Sequence, residues 1–212
     1  EPRELYVTPK GQVALHLPKA KTVFDLNLEA WQRRKETRDL SRAALSERRE
    51  LLRSRVLAQR PRSPLWVRGI RTGVDEETKI GWAHRFTLSE PGILLPMIEL
   101  WAEGAKEHDE ISVVALHEGT PAVSSRREYV VDLVKERRRV LLFDPRGTGA
   151  TLQRRINPRD HFVYYGTYYK LNYDAMMLGD SLFAMWVFDA LRALEYAHRI
   201  ARPVHVVGEG TA

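Results

Sequence analysis

The sequence predicts an α/β fold in which helices flank a mostly parallel sheet. Three short apolar runs support this prediction: Ile111–Leu116, Val140–Phe143 and Val204–Val207. Continuous apolar runs of this length are typical of strands that are buried on both faces of a parallel sheet. Helical patterns at 129–138 and 174–199 separate the runs. Alternation of strand and helix produces parallel pairing with right-handed crossovers.

The composition is that of a globular protein with a substantial core. The chain has 212 residues, of which 43% are hydrophobic, and its net charge at pH 7 is +6. It contains no cysteine, which excludes disulfides, thiolate catalysis and cysteine-ligated metals. No apolar run reaches membrane-spanning length, and the first residues lack a signal-peptide pattern. The basic balance permits an anionic partner such as nucleic acid or an acidic polysaccharide.

The patterns divide the chain into three regions. Residues 1–20 predict a β-hairpin around the turn Pro9–Gly11, which could be the end of a preceding domain. Residues 21–64 predict a long basic helical linker segment. Residues 65–212 carry the α/β pattern, and further strands precede the parallel ones. We place these strands at 65–71, 80–88 and 93–101.

The basic helical segment has two interpretations. Asp25 or Asn27 could cap its start, and Pro61 and Pro64 end it. Arginines and acidic residues are interspersed around its apolar stripe, which favours a solvated helix face with ion pairs. The alternative is an arm that binds polyanions, but aromatic residues for base stacking do not alternate with the basic ones. Nucleic acid is therefore not the expected partner.

A D-x-R-G-x-G sequence, Asp144–Gly149, follows the second buried strand. Its glycines suit a tight turn where the chain leaves the sheet. We expect Asp144 to accept backbone amides and Arg146 to tie neighbouring loops together by bidentate pairing. Phosphate binding is the alternative, but the full glycine-rich fingerprint and the P-loop lysine are missing.

The third buried strand leads into Gly208-Glu209-Gly210-Thr211-Ala212, which has the pattern of a nucleophile elbow. In the G-x-S-x-G elbow the serine stands third, on a sharp turn between a strand and a helix. Here Gly210 stands at that position. The acid and the histidine that come later in that chain order are absent from these residues. Covalent acyl transfer by the usual route is therefore impossible at Gly210.

Several stretches occur in an informative order: Leu88–Pro96, Leu116–Thr120, Asp144–Gly149, Met177–Leu182, Asp189–Leu194 and Gly208–Gly210. Together they resemble acetyl xylan esterase-like bacterial proteins of the α/β-hydrolase superfamily. The resemblance covers roughly residues 65–212 and corresponds to the N-terminal half of such a domain. It implies an α/β-hydrolase-like sheet, and it suggests an exported protein, either periplasmic or extracellular.

The resemblance also implies roles for individual residues. Glu118, Gly119 and Thr211 match the positions of the oxyanion hole, while Gly210 replaces the nucleophile and leaves no catalytic residue. We therefore expect a hydrolase-like domain without serine-hydrolase activity, that is, a pseudoenzyme. The alternative is a fragment of an active carbohydrate (acetyl) esterase, which is a carboxylic ester hydrolase. Activation of water by Glu209 or Glu118 is a further alternative.

Three other candidate residues stay open. Ser181 lies in Gly179–Leu182, whose letters are those of the GDSL hydrolases, but the helical pattern around it predicts a helix residue rather than an elbow. His117, at a strand end, is either catalytic or a hydrogen-bonded structural histidine. His161 lies in an aromatic loop that could stack on the sugar rings of a polysaccharide or pack onto a helix. That loop contains Asp160, Phe162, Tyr164, Tyr165, Tyr168 and Tyr169.

Cofactors and partners follow from the same patterns. His117 and Glu118 lack the second histidine of a zinc motif, so we expect no metal and no cofactor. The last strand would expose Val204, Val206 and a backbone edge, and exposed edges invite pairing. We therefore expect residues 203–208 to pair with the remainder of the hydrolase domain or with another polypeptide.

Overall fold

The computed structural model describes residues 4, 8–9, 13–17, 19–37, 44–58, 60–61, 63–106, 108–152 and 167–210. The chain forms two compact units, Glu1–Leu52 and Arg53–Ala212. Helices dominate the described part of the first unit: α1 (Val13–His16), α2 (Val23–Thr37) and the start of α3 (Leu45–Leu57). The predicted helical character of the basic segment is thus confirmed.

The N-terminal hairpin prediction is wrong where the structure describes it. Its second strand is replaced by the short helix α1, and residues 5–7 and 10–12 lie outside the described residues. The Leu17 N–H donates to the Val13 carbonyl at 2.9 Å. A single hairpin is marginal without further strands, so a local helical hydrogen bond satisfies this backbone instead.

The cap of α2 is a reciprocal pair rather than one residue. Thr22 precedes the helix, and both its N–H and its hydroxyl donate to Asp25 Oδ2 at 2.7 Å. The Asp25 N–H donates back to Thr22 Oγ1 at 3.3 Å. These hydrogen bonds from Thr22 lower the pKa of Asp25. Asp25 therefore stabilises the helix start from its first turn, as a capping box does, and Thr22 is the capping residue.

The second unit contains a six-stranded mixed sheet with the order β1-β2-β3-β5-β4-β6. Its strands are β1 (Arg68–Val74), β2 (Gly81–Glu90), β3 (Ile93–Trp101), β4 (Ile111–Ala115), β5 (Arg139–Phe143) and β6 (Val204–Gly208). The predicted parallel pairing of the three buried runs is confirmed, since β4 lies between β5 and β6 and is parallel to both.

The expectation of a mostly parallel sheet needs correction. The pairs β1–β2, β2–β3 and β3–β5 are antiparallel. The physical reason is the connection: β2 and β3 are joined by Pro91 and Gly92 alone, and a two-residue link can only reverse the chain. Gly92 adopts φ +83° there, which a glycine reaches without strain.

Helices cover both faces of the sheet, as expected. On one face α5 (Arg127–Arg137), preceded by the short helix α4 (Ala122–Ser125), packs its Val130 and Val134 against strand residues such as Val114. On the other face α7 (Leu182–Ile200) packs Ala193 and Ala197 against residues such as Val113. Neighbouring residues of a strand point to opposite faces, so the continuous apolar runs supply both cores.

The single helix predicted at 174–199 is interrupted. α6 (Thr167–Met177) is terminated by the turn at Gly179, which has φ +77°, and α7 begins after Ser181. The Asp180 and Gly179 N–H groups donate to the carbonyls of Ala175 and Met176 at 2.9 and 3.0 Å. This is a Schellman motif, in which a left-handed glycine ends the helix. The apolar periodicity continues across the break, so periodicity alone does not reveal it.

Candidate functional site

The loops that follow the three parallel strands meet at one edge of the sheet. His117–Thr120 follows β4, Asp144–Gly149 follows β5, and Glu209–Gly210 follows β6. Parallel neighbours bring their carboxyl ends together, and open α/β sheets bind ligands at this edge. The structure thus brings Glu118, Gly119 and Gly210 to the same edge of the sheet, whereas Ser181 caps a helix. Thr211 lies outside the described residues.

Asp144 joins two of these loops. It is fully buried, and it accepts from the Thr120 N–H and hydroxyl at 2.6 Å each and from the Ala150 N–H at 2.8 Å. A Cβ at Gly119 or Gly149 would come within 2.1 or 2.4 Å of its Oδ1, so only glycine fits at these positions. Burial raises the pKa of Asp144, while the three hydrogen bonds lower it in part. The expected role of Asp144 as an acceptor of backbone amides is confirmed.

Arg146 has the bidentate role that its motif predicts, and its partner is Asp189 of α7. Arg146 Nη2 lies 2.6 Å from Asp189 Oδ1, and Nε lies 2.9 Å from Oδ2. A second ion pair joins Arg146 Nη2 to Glu90 Oε1 at 2.6 Å. The loop after β5 is therefore tied both to a helix and to the end of β2, which supports a structural role over phosphate binding.

The turn after β4 uses the Gly119 amide, one of those that the resemblance assigned to an oxyanion hole. The Gly119 N–H donates to the Leu116 carbonyl at 3.0 Å, and the Thr120 N–H is held by Asp144. Gly119 adopts φ +68° within this turn. The Glu118 carboxylate lies 3.4 Å from Arg126 Nη1. The assignment of Glu118 and Gly119 to an oxyanion hole stays a prediction.

Gly210 lies two residues after the end of β6, at the bend of the expected elbow. Its φ is +79°, and an added Cβ would lie 3.1 Å from the Cβ of His117. The Glu209 N–H donates to the Ala115 carbonyl at 3.0 Å and extends the ladder to the bend. Gly210 thus adopts a left-handed backbone conformation that glycine reaches without strain, and it faces the loop after β4 without a side chain to react.

Arg126, which sequence reasoning missed, links the loops around Gly210. Its Nη2 lies 2.8 Å from Glu209 Oε1, its Nη1 reaches Glu118, and its guanidinium lies 4.2 Å from the centre of the Tyr129 ring. The Tyr129 hydroxyl and Arg126 both lower the pKa of Glu209. A carboxylate held in its charged form is a weak base, which argues against water activation by Glu209. The sequence signal for such a cation was the presence of two acidic residues, Glu118 and Glu209, each just after an apolar strand.

Ser181 is the N-cap of α7, not a residue within a helix as predicted. Its backbone is extended, and its hydroxyl oxygen accepts from the Ala184 N–H at 3.1 Å. The Ser181 N–H donates to Asp180 Oδ1 at 2.7 Å. These bonds are those of a helix cap, which explains why a serine stands here.

The aromatic loop is only partly described, because His161, Asp160, Phe162, Tyr164 and Tyr165 lie outside the described residues. Tyr168 on α6 packs edge-on against Trp186, with 5.7 Å between ring centres. The Trp186 indole N–H donates to the Arg146 carbonyl at 2.9 Å. For Tyr168, therefore, packing onto a helix is what the contacts describe.

In the part of the chain that the structure describes, no three or more histidine, aspartate or glutamate side chains cluster as metal ligands would. No helix in the described ranges combines the length and the apolarity needed to cross a bilayer.

The fold is similar to that of solved acetyl xylan esterase structures. The enzyme from Paenibacillus sp. R4 superposes with a TM-score of 0.51 at 15% identity over 75% of this chain and 49% of its own. Acetyl xylan esterase 1 from Thermoanaerobacterium sp. JW/SL YS485 gives 0.50 at 12% identity, over 76% and 50%. A candidate acetyl xylan esterase from Bacteroides fragilis NCTC 9343 gives 0.57 at 14% identity, over 76% and 45%.

These likenesses define the class of fold. The chain has an α/β-hydrolase-like fold of the acetyl xylan esterase type, and it spans about half the length of each of these structures. No protein-family model matches the sequence, and no curated protein matches it significantly.

Proposed function

We propose that residues 65–212 form part of an α/β-hydrolase-like domain that does not hydrolyse esters at its elbow and serves as a scaffold or binding domain. The supporting observation is Gly210, which occupies the bend after β6 at φ +79° and offers no nucleophilic side chain. The neighbouring Glu209 is held in its charged form by Arg126 and Tyr129. Neither residue can form an acyl intermediate by the serine route.

The alternative is a fragment of an active carbohydrate esterase. The likeness to acetyl xylan esterases favours it, as does the ordered loop of Asp144 and Arg146. In that case the nucleophile must be another residue, and Ser181 is the candidate that the sequence offers. Its cap hydrogen bond to the Ala184 N–H does not supply the adjacent base that an activated serine needs.

An activated acetyl ester, p-nitrophenyl acetate, separates these proposals. We expect the wild-type chain to show no turnover above the buffer rate and no labelling by a fluorophosphonate, because labelling needs an activated hydroxyl. Two variants accompany the wild type: Ser181→Ala removes the candidate hydroxyl, and Gly210→Ser places a hydroxyl at the elbow position. Wild-type turnover that Ser181→Ala abolishes would establish the serine-esterase alternative, and labelling of any wild-type serine would refute our proposal.

We also propose that the outer edge of β6 pairs with a further polypeptide strand, either the remainder of a hydrolase domain or a partner chain. The Ile111 N–H donates to the Pro203 carbonyl, and the Glu209 N–H donates to Ala115, so odd-numbered residues of this segment face β4. Successive residues of a strand alternate, so Val204 and Val206 direct their backbone groups to the open edge.

The side chains support the same proposal. Val204 packs partly on the α7 face and Val207 on the α5 face, while Val206 remains 67% exposed. A strand that is apolar on both faces is typical of a sheet interior. Hydrogen exchange tests the pairing: protection of the Val206 amide in the presence of the partner strand supports it, and exchange at the rate of an unstructured peptide contradicts it.

A polysaccharide partner rests on a weaker feature, an exposed aromatic pair on α6. The rings of Tyr169 and Tyr173 lie 4.6 Å apart, and both side chains are exposed. Aromatic faces of this kind can stack on sugar rings. Calorimetric titration with an acetylated xylan oligosaccharide tests the idea, and binding unchanged in Tyr169→Ala would exclude this pair as the site.

A further inference from the structure

A polar cavity of about 280 Å³ lies between α7 and the sheet. It is lined by the last residue of β3 and the first residue of β5, whereas the candidate site follows the carboxyl ends of β4, β5 and β6. The cavity is therefore at the opposite end of the parallel strands. Its principal lining residues are Arg85, Glu99, Trp101, Lys106, Arg139 and Tyr196.

A buried carboxylate lies between two arginines in this cavity. Arg139 Nη2 donates to Glu99 Oε1 at 2.7 Å, and Arg85 Nε donates to Oε2 at 3.4 Å. Glu99 and Arg139 are buried, while the Arg85 side chain is about one third exposed. The Arg139–Glu99 pair is thus a well-formed buried ion pair. Arg85 makes only this long contact with Glu99, and its guanidinium also lies against Gly69 of β1.

The cavity has an excess of positive charge. Lys106, an exposed residue, adds a third cation, and it makes no ion pair with any described side chain. Three cations against one carboxylate leave two positive charges in excess on the described lining, and the neighbouring Asp109 carboxylate, which accepts from the Lys106 N–H at 2.8 Å, reduces this excess to one. A partly enclosed site with such an excess attracts anions, because low-dielectric walls strengthen its field.

The other walls are aromatic and apolar. The Trp101 indole lies over Gly81, where an added Cβ would come within 2.1 Å of the ring, so glycine at this position admits the indole. Tyr196 and Ile200 of α7 form the opposite wall. Burial, with the nearby negative charge of Glu99, raises the pKa of Tyr196 to about 12. The hydrogen bond between the Tyr196 hydroxyl and Glu99 adds to this rise.

We propose that this cavity binds a small organic anion whose carboxylate or phosphate lies between Arg85 and Lys106 and whose ring or apolar part lies against Trp101. Guanidinium and ammonium groups are the protein's usual ligands for both kinds of oxyanion. The proposal is independent of the elbow, because the cavity shares no residue with the loops around Gly210.

Calorimetric titration at constant ionic strength tests this site with benzoate and phenyl phosphate, with neutral benzamide as the control ligand. We expect saturable binding of at least one anion, with a Kd on the order of 1 mM, and none of benzamide. The anion that binds more tightly identifies the preferred headgroup. Absence of saturable binding for both anions would overturn the proposal.

Variants localise the binding. Lys106→Gln removes an exposed cation that the fold does not need, and Arg85→Gln removes the second, so each should weaken anion binding about tenfold. Lys170→Gln changes an exposed lysine on α6, away from the cavity, and should bind as the wild type does. Anion affinity unchanged in Lys106→Gln, with a wild-type melting temperature, would refute the site.

Discussion

Arg146 holds Asp189 with both arms of its guanidinium group and with its backbone N–H. The three contacts measure 2.6, 2.9 and 2.9 Å. Asp189 is fully buried in α7, and Arg146 follows β5. The Ser89 hydroxyl donates to the same carboxylate from β2. One buried carboxylate therefore fastens the D-x-R-G-x-G loop and the antiparallel part of the sheet to the helix.

Substitution of Asp189→Asn should lower the free energy of unfolding by about 2 kcal/mol, because Arg146 loses its bidentate charged partner and keeps only the ion pair with Glu90. Urea denaturation measures the change. Asp174→Asn is the matched control, since the Asp174–Lys170 pair at 3.0 Å is more than half exposed and should contribute less than about 1 kcal/mol. Equal losses in the two variants would show that the Arg146 pair is not the fastening described here.

Loss of the helix cap at Ser181 should be a stability effect alone. Ser181→Ala removes the acceptor for the Ala184 N–H and should cost about 1 kcal/mol of unfolding free energy. Ser181→Asp keeps a capping oxygen and should recover most of that loss. Thermal or urea unfolding of both variants decides the point, and a variant pair of equal stability would contradict the cap.

Alkaline pH should destabilise the fold through Tyr196. Its pKa of about 12 in the folded chain lies above the ordinary value of 10.0, so the folded state holds the proton more tightly. The contribution of Tyr196 to the free energy of unfolding is therefore fully present below pH 10 and is lost as the pH rises from 10 towards 12. One pKa unit corresponds to about 1.4 kcal/mol.

Tyr196→Phe is the control variant, because it removes the titrating hydroxyl. The free energy of unfolding of both proteins is measured by urea denaturation between about pH 9 and 12, a range that spans the titration of tyrosine. Stability of the wild type should fall more steeply with pH than that of the variant. Parallel curves would show that Tyr196 titrates normally.

Proline substitutions in β6 should have different stability costs on the open edge and on the edge that pairs with β4. Val206→Pro removes an N–H on the open edge, where proline is tolerated. Val207→Pro removes an N–H that faces β4, so it should cost at least one hydrogen bond more, about 1 kcal/mol. Urea unfolding of the two variants gives the order. A larger loss of stability in Val206→Pro would show that Val206, not Val207, faces β4. If Val206→Pro still paired with a partner strand, the proposed pairing at the open edge would be contradicted.

Much of the second unit could be predicted because its patterns are local. Apolar runs such as Ile111–Leu116 and Val140–Phe143 are buried on both faces, so hydrophobicity alone reveals them. The loop at Asp144 could be predicted because its glycines and acid have only a few uses at a strand end. The N-terminal hairpin failed for the opposite reason, since residues 13–16 carry no strong pattern and take a local helical turn.

Long-range partners could not be predicted from spacing. Asp189 is separated from Arg146 by 43 positions, and Glu209 meets Arg126 only because β6 lies beside β4. The break before α7 was hidden because apolar periodicity continues through Gly179, whose φ of +77° is a backbone property. Such pairings depend on which elements become neighbours.

By itself, the sequence determined the parallel core of the sheet, the glycine at the elbow position and the chemistry of the D-x-R-G-x-G loop, because each depends on residue type within a short segment. Tertiary structure alone decided the antiparallel half of the sheet, the arginine that joins the loops around Gly210, and the cationic cavity beneath α7. These arise where distant segments meet, and burial and charge there depend on all of the neighbours at once.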